Sequence, residues 1–171
     1  LGHAYLQVAN YPFAATSFQA ASASAFHPAL QEDALFNLAK LQLQRGNFQL
    51  GINNLDSYLD TYPRGNNYSE AETLLSDALI NSTDYLRAMD QMDQLRSKSS
   101  RIQQAYQKVA YFQAMIYYRD KKYEQALSLL AKSQRYPSSK ELVAETYFWQ
   151  GEIYSVQGDL ANAKEAYAAA L

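Results

Sequence analysis

Residues 147–167 read YFWQGEIYSVQGDLANAKEAY. Tyr147, Gly151 and Tyr154 fall at helical spacing, Gly158-Asp159 makes a short turn, and Ala163 and Tyr167 lie one turn apart beyond it. The same pattern recurs along the whole chain. Counting back from Gly151 gives Ala114, Ser76, Ala39 and Gly2, in steps of 37, 38, 37 and 37 residues, and every one is small. A second ladder in step with it runs Ala14, Gly51, Ala88, Ala126 and Ala163. A third carries bulk: Phe18, Leu55, Met92, Leu130 and Tyr167. Self-similarity at a fixed period of this size specifies a repeat architecture.

Each unit reads as helix, turn, helix. Leu35, Leu38, Ala39 and Leu43 make one apolar stripe, and Phe48, Ile52, Leu55, Leu59 and Tyr62 make the next, at steps of three and four residues. Gly46 between them is suited to a left-handed helix end, and Asn47 to capping the following helix. Asn10, Asp84 and Asp159 occupy the same turn position, where Lys122 is the exception. Pro12 sits just inside a helix, where its missing N–H costs nothing. Between units, Phe26-His27-Pro28, Tyr62-Pro63 and Tyr136-Pro137 break the helices. Ser69 with Glu72 and Ser138 with Glu141 fit capping boxes that restart them. The Ser/Lys-rich stretch Arg96–Arg101 has no Pro and reads as the most flexible joint. Sustained apolar/polar alternation is absent, so the fold class is all-α.

These residues resemble the tetratricopeptide repeat, whose pattern is an aromatic, Leu-Gly, Tyr, then Ala and an aromatic, then Pro. The fifth unit supplies Tyr147, Gln150-Gly151, Tyr154, Ala163 and Tyr167. The first supplies Leu1-Gly2, Tyr5, Ala14, Phe18 and Ala21, the second Leu38-Ala39 and Pro63 with Gln42 in place of Tyr, and the third is the most divergent. The resemblance implies an α-solenoid of about five hairpins wound into a right-handed superhelix. The units are expected at about 1–28 (partial), 29–66, 67–103, 104–140 and 141–171 (partial), forming one array within residues 1–171 and a fragment of a longer protein. The period exceeds the usual repeat of about 34 residues. Its excess beside Tyr62-Pro63 and Tyr136-Pro137-Ser138 is similar to bacterial periplasmic repeats of the outer-membrane barrel-assembly lipoprotein and the Tol–Pal-associated protein. That similarity implies an envelope setting.

Composition excludes several function classes. Charged residues make up 19% of the chain, and the net charge is −2 with a pI near 5.7. No basic stripe suits nucleic acid. No apolar run approaches a membrane span. The absence of cysteine removes thiolate metal sites and Cys nucleophiles. His3 and His27 read as surface residues. Glu70 and Asp77 share a helix face that reads as solvated. No Gly-x-Ser-x-Gly elbow is present, and no enzyme activity, metal or cofactor is expected.

The family's geometry places the first helix of each unit on the inner wall. The expected partner-binding residues are then Phe36, Lys40, Leu43, Asp77, Tyr111, Met115, Tyr118, Arg119, Phe148 and Glu152, with Gln44, Thr73, Asn81, Ser155, His3, Leu6 and Gln7 continuing the row. Aromatics and a Met on such a wall suit a peptide groove. The row lacks the Lys/Asn/Arg clamp by which some tetratricopeptide cochaperones grip a C-terminal carboxylate. The expected function is a non-enzymatic scaffold for a protein or peptide partner. The alternative is a structural spacer, with self-association through truncated repeat ends.

Overall fold

The computed structural model describes residues 1–24, 27–82, 84–95 and 97–171. Phe26 and Arg96, at the heads of two of the expected inter-unit segments, lie outside the described residues. Among the described residues the chain forms ten α-helices: α1 Gly2–Gln7, α2 Tyr11–Ser22, α3 Pro28–Gln44, α4 Phe48–Thr61, α5 Tyr68–Ile80, α6 Tyr85–Gln94, α7 Ser100–Arg119, α8 Tyr123–Gln134, α9 Lys140–Gln157 and α10 Leu160–Ala169. Among the described residues the architecture is all-α. Two compact units divide the chain within α5, residues 1–78 and 79–171. In the first, α2 packs on both α1 and α3, and α3 on α4. In the second, α7 packs on α6, α8 and α9, and α9 on α8 and α10.

The hairpin turn has one repeated geometry. Asn10 donates its N–H to the Tyr5 carbonyl at 2.8 Å, while Ala9 donates to Leu6 at 3.0 Å. Asn47 and Gly46 do the same to Gln42 and Leu43, Lys122 and Lys121 to Tyr117 and Tyr118, and Asp159 and Gly158 to Tyr154 and Ser155. This is the paired 6→1 and 5→2 closure of a Schellman helix end. It requires a left-handed residue, and Ala9, Gly46, Lys121 and Gly158 have φ of 55°, 78°, 58° and 80°. The next residue starts the following helix. Asn10, Asp84 and Asp159 accept the N–H of Phe13, Arg87 and Asn162 on their side chains. Asn47 was expected to cap in the same way and makes no such bond, like Lys122.

Most ladder residues are buried, and at Gly2, Gly51 and Gly151 the neighbour is the other helix of the same hairpin. Ala39, Ala114, Ala14 and Ala126 are fully buried, as are Leu55, Met92 and Leu130. The glycines show why small residues are needed. A Cβ on Gly2 would stand 2.6 Å from the Phe18 ring, and one on Gly151 would stand 2.7 Å from Tyr167. The small residue of the first ladder thus seats the large residue of the third, within the same hairpin. On Gly51, in the second ladder, a Cβ would meet Leu43 of α3 at 2.5 Å.

The long connections between hairpins are clamped by side chains. Glu32 Oε1 accepts the N–H of Asn66 at 2.7 Å and the hydroxyl of the buried Tyr58 at 2.9 Å, and that hydroxyl accepts from Asn67 N–H. Gly65 fits here because a Cβ would lie 2.5 Å from the Tyr58 hydroxyl. Two periods later the buried Gln107 side chain exchanges hydrogen bonds with the Ser139 backbone, at 2.9 and 3.2 Å, and the Gln107 backbone carbonyl accepts from the Ser133 hydroxyl. Glu32 and Gln107 each stand seven residues before a first-ladder residue, Ala39 and Ala114. The extra length of the period is therefore built into the packing.

Both expected capping boxes are displaced by a residue or more. Ser139, not Ser138, accepts from Leu142 N–H, and its hydroxyl donates to Glu141. Ser69 lies inside α5, which begins at Tyr68. The segment expected to be a joint is tied down where it is described. Lys98 donates to the carbonyls of Asp93 and Leu95, Gln103 donates to that of Lys98, and Ser99 caps α7. That cap lets α7 start at Ser100, ahead of the expected unit boundary at 104.

Three outcomes follow from this packing. Gly151→Leu forces a side chain into the Tyr167 ring and should lower stability by about 1–3 kcal/mol in a urea titration. Lys121→Gly should raise it by about 0.5–1 kcal/mol, since a left-handed L-residue costs more than the added freedom of a glycine. The third outcome concerns alkali. Burial, then the Glu32 bond, pushes the Tyr58 phenol from 10.0 up to about 12. Burial, then the charge of Asp93, does the same to Tyr106. Both folds favour the neutral phenol, so this stability is intact below pH 10 and is lost as pH rises from 10 through about 12. Ultraviolet titration should show late-ionising tyrosines, with thermal midpoints falling across the same window. Uniform ionisation near the ordinary phenol value would refute this.

Candidate functional site

In the unit spanning residues 79–171, α7 and α9 are adjacent first helices of consecutive hairpins. Ser99 and Ser139 cap their starts, and turns at Lys121 and Gly158 end them. On α9, Glu145, Phe148 with Trp149, and Glu152 follow one another at a helical turn each, so they share a face.

That face is ordered by ring contacts. Trp149 packs on Tyr118 with ring centroids 4.9 Å apart, and its Nε1–H donates to the Tyr111 hydroxyl at 3.2 Å. Burial raises the Tyr111 phenol to about 12, helped by its hydrogen bond to Glu145 and opposed by the one from Trp149. Phe148 meets Trp149 edge-on at 5.4 Å and Tyr167 at 6.0 Å, yet it remains 44% exposed. The Tyr167 hydroxyl donates to Glu152 Oε1 at 2.6 Å, and this bond is the main cause of its raised pKa. Tyr118 also meets Tyr123 at 6.0 Å. The Glu152 carboxylate is therefore positioned by a tyrosine hydroxyl.

The expected residues fare unequally. Tyr111, Tyr118, Phe148 and Glu152 join this one cluster, and Met115 is half-buried on α7. Arg119 is largely exposed, 3.6 Å from Asp120. In the unit spanning residues 1–78, Phe36 is only 4% exposed and packs on Tyr58 at 5.6 Å, so its ring belongs to the core. Lys40 is paired with Glu70 at 2.6 Å, and its ammonium lies 5.6 Å from the Phe36 ring centre. Glu70 is exposed, as a solvated face requires, and also serves as this counter-ion. Leu43 covers Gly51, Leu6 packs against the buried cluster around Phe18, and Asp77 is exposed. His3, read as a surface residue, is exposed and lies 2.9 Å from Asp33.

Position 58 explains the contrast between Phe36 and Phe148. Stepping by the period, Tyr58 is followed by Leu95, Ser133 and Ala170. Only a residue the size of Tyr58 can cover the ring at position 36, and the register offers Phe148 nothing of that size. Trp149 was missed by the sequence reading, which counted only positions three before and one, four or five after the small ladder. Its signal was present: it is the single Trp, and one period earlier stands Phe112, which packs on Tyr85 and Tyr111.

Among the described residues, no group of three His, Asp or Glu could hold a metal ion, and no helix is long and apolar enough to cross a membrane.

No curated protein matches the chain significantly. Among solved structures, it is similar to MamA, residues 41 to the end, from Desulfovibrio magneticus RS-1, at 13% identity and a TM-score of 0.43, covering 99% of this chain and 88% of that one. A further crystal structure of MamA is similar at 15% identity and a TM-score of 0.42, covering 99% and 92%. BtubC from P. vanneervenii is similar at 13% identity and a TM-score of 0.42, covering 99% and 75%. The family model for the tetratricopeptide repeat-like domain matches residues 59–171, well over half of the chain, and one for the tetratricopeptide repeat matches residues 33–65. The chain belongs to the tetratricopeptide repeat-like family.

Proposed function

We propose that this protein is a non-enzymatic scaffold that binds a segment of a partner protein on the α7–α9 face. The tetratricopeptide fold mediates protein–protein interaction in general. The finer reading rests on one observation. Phe148 stays 44% exposed on a cluster whose other rings are locked by the Trp149–Tyr111 hydrogen bond and the Tyr118 contact. A rigid, partly exposed aromatic loses little freedom on binding and offers a large apolar area, which is the chemistry of an interface anchor.

A spacer role fits residues 1–78 better. There the equivalent groups are consumed internally, Phe36 by Tyr58 and Lys40 by Glu70. The partner-binding face is accordingly narrower than the full row of first helices.

Affinity capture from the source organism's lysate tests this division. The intact chain should retain a partner that Phe148→Gln retains about tenfold less or not at all. Lys40→Gln should retain it unchanged, with circular dichroism confirming that both variants fold. Equal retention by Phe148→Gln, or loss through Lys40→Gln alone, would refute the assignment.

A further inference from the structure

The α9 face carries two negative charges beside its exposed ring. Glu145 and Glu152 stand one helical turn to either side of Phe148 and Trp149. Glu152 is held by the Tyr167 hydroxyl at 2.6 Å, and Glu145 stands beside the Tyr111 phenol, whose neutral form it favours. Neither takes part in an ion pair among the described residues. The cations on the two helices are Arg101, Lys108 and Arg119 on α7 and Lys140 on α9, and the ion pair that Arg119 makes is with Asp120. The Tyr167 bond fixes the Glu152 carboxylate in place without supplying a counter-charge. The equivalent position in the unit spanning residues 1–78 is the opposite case. Lys40, which corresponds to Glu152, already has Glu70 as its counter-ion.

We infer, building on the partner-binding reading above, that the α9 face recognises a cationic side chain, an arginine or lysine of an extended partner segment, seated over Phe148 between Glu145 and Glu152. A cation there gains from the negative face of the ring and from two carboxylates, of which Glu152 needs no reorganisation to receive it. Tyr167 acts as a positioning residue for Glu152, and Tyr111 for the neighbouring Trp149. Arginine is the better fit, because its planar fork stacks on a ring while donating to carboxylates at its edges.

Trp149 is the single tryptophan of the chain, so its fluorescence reports on this site directly. The test titrates the intact protein with three short synthetic peptides of alternating sequence, Leu/Arg, Leu/Glu and Leu/Gln. The Leu/Arg peptide should shift Trp149 emission saturably, more tightly than the other two, and more weakly as salt rises. Glu145→Gln with Glu152→Gln keeps an acceptor for the Tyr167 hydroxyl and should weaken that binding about tenfold or more. Asp90→Asn with Glu165→Gln removes the same charge elsewhere and should leave it unchanged. Equal binding of the Leu/Gln or Leu/Glu peptide would overturn the cation inference and leave the binding face standing. Equal binding of Leu/Arg to both double variants would overturn it as mere net-charge attraction. Absence of binding by any peptide would also overturn it, while a lysate partner lost only by Phe148→Gln would still support the face itself.

Discussion

A helix bearing a glycine or alanine where its neighbour bears a large side chain is the contact on which this molecule depends. Interlocked helices approach to about 8–10 Å only where one surface recedes. Gly2 beneath Phe18 and Gly151 beneath Tyr167 show the limit, since even one added carbon would enter the ring. Ala39 and Ala114 keep the same register with a methyl group. Because the contacts at Gly2 and Gly151 each lie within one hairpin, these hairpins are local units, and stability accumulates through neighbours rather than through one central core.

The turns give the same result at the level of the backbone. Four described turns share one hydrogen-bond pattern and one left-handed residue, although two of them place Ala9 and Lys121 where glycine would be easier. Geometry persists there while residue type drifts, because the closure is made by backbone groups. The clamps at Glu32 and Gln107 extend this logic to the connections between hairpins. A side-chain acceptor meets loop N–H groups that no helix could satisfy.

Much of this was legible in the residues. The ladders placed the buried small positions, Gly46 and Gly158 marked the turns, and the all-α class followed from periodicity. Less legible was anything decided by the size of a residue elsewhere in the repeat. Phe36 and Phe148 occupy one register position, but Tyr58 buries the first and nothing comparable covers the second. Capping was similarly local. Ser138 and Ser139 are both plausible caps in sequence, and the Gln107 clamp on the Ser139 backbone favours the second. Trp149 escaped a rule that treats a helix face as a line, whereas rings reach sideways to neighbouring helices.

In the proposed function, partner contact lies on α9 and not on the filled face of α3. A photo-crosslinking amino acid at position 148, and separately at position 40, tests it most directly in cells that produce the protein. Crosslinks to a discrete partner from position 148 and none from position 40 are the predicted result. A partner trapped from position 40 while position 148 stays silent would contradict the account.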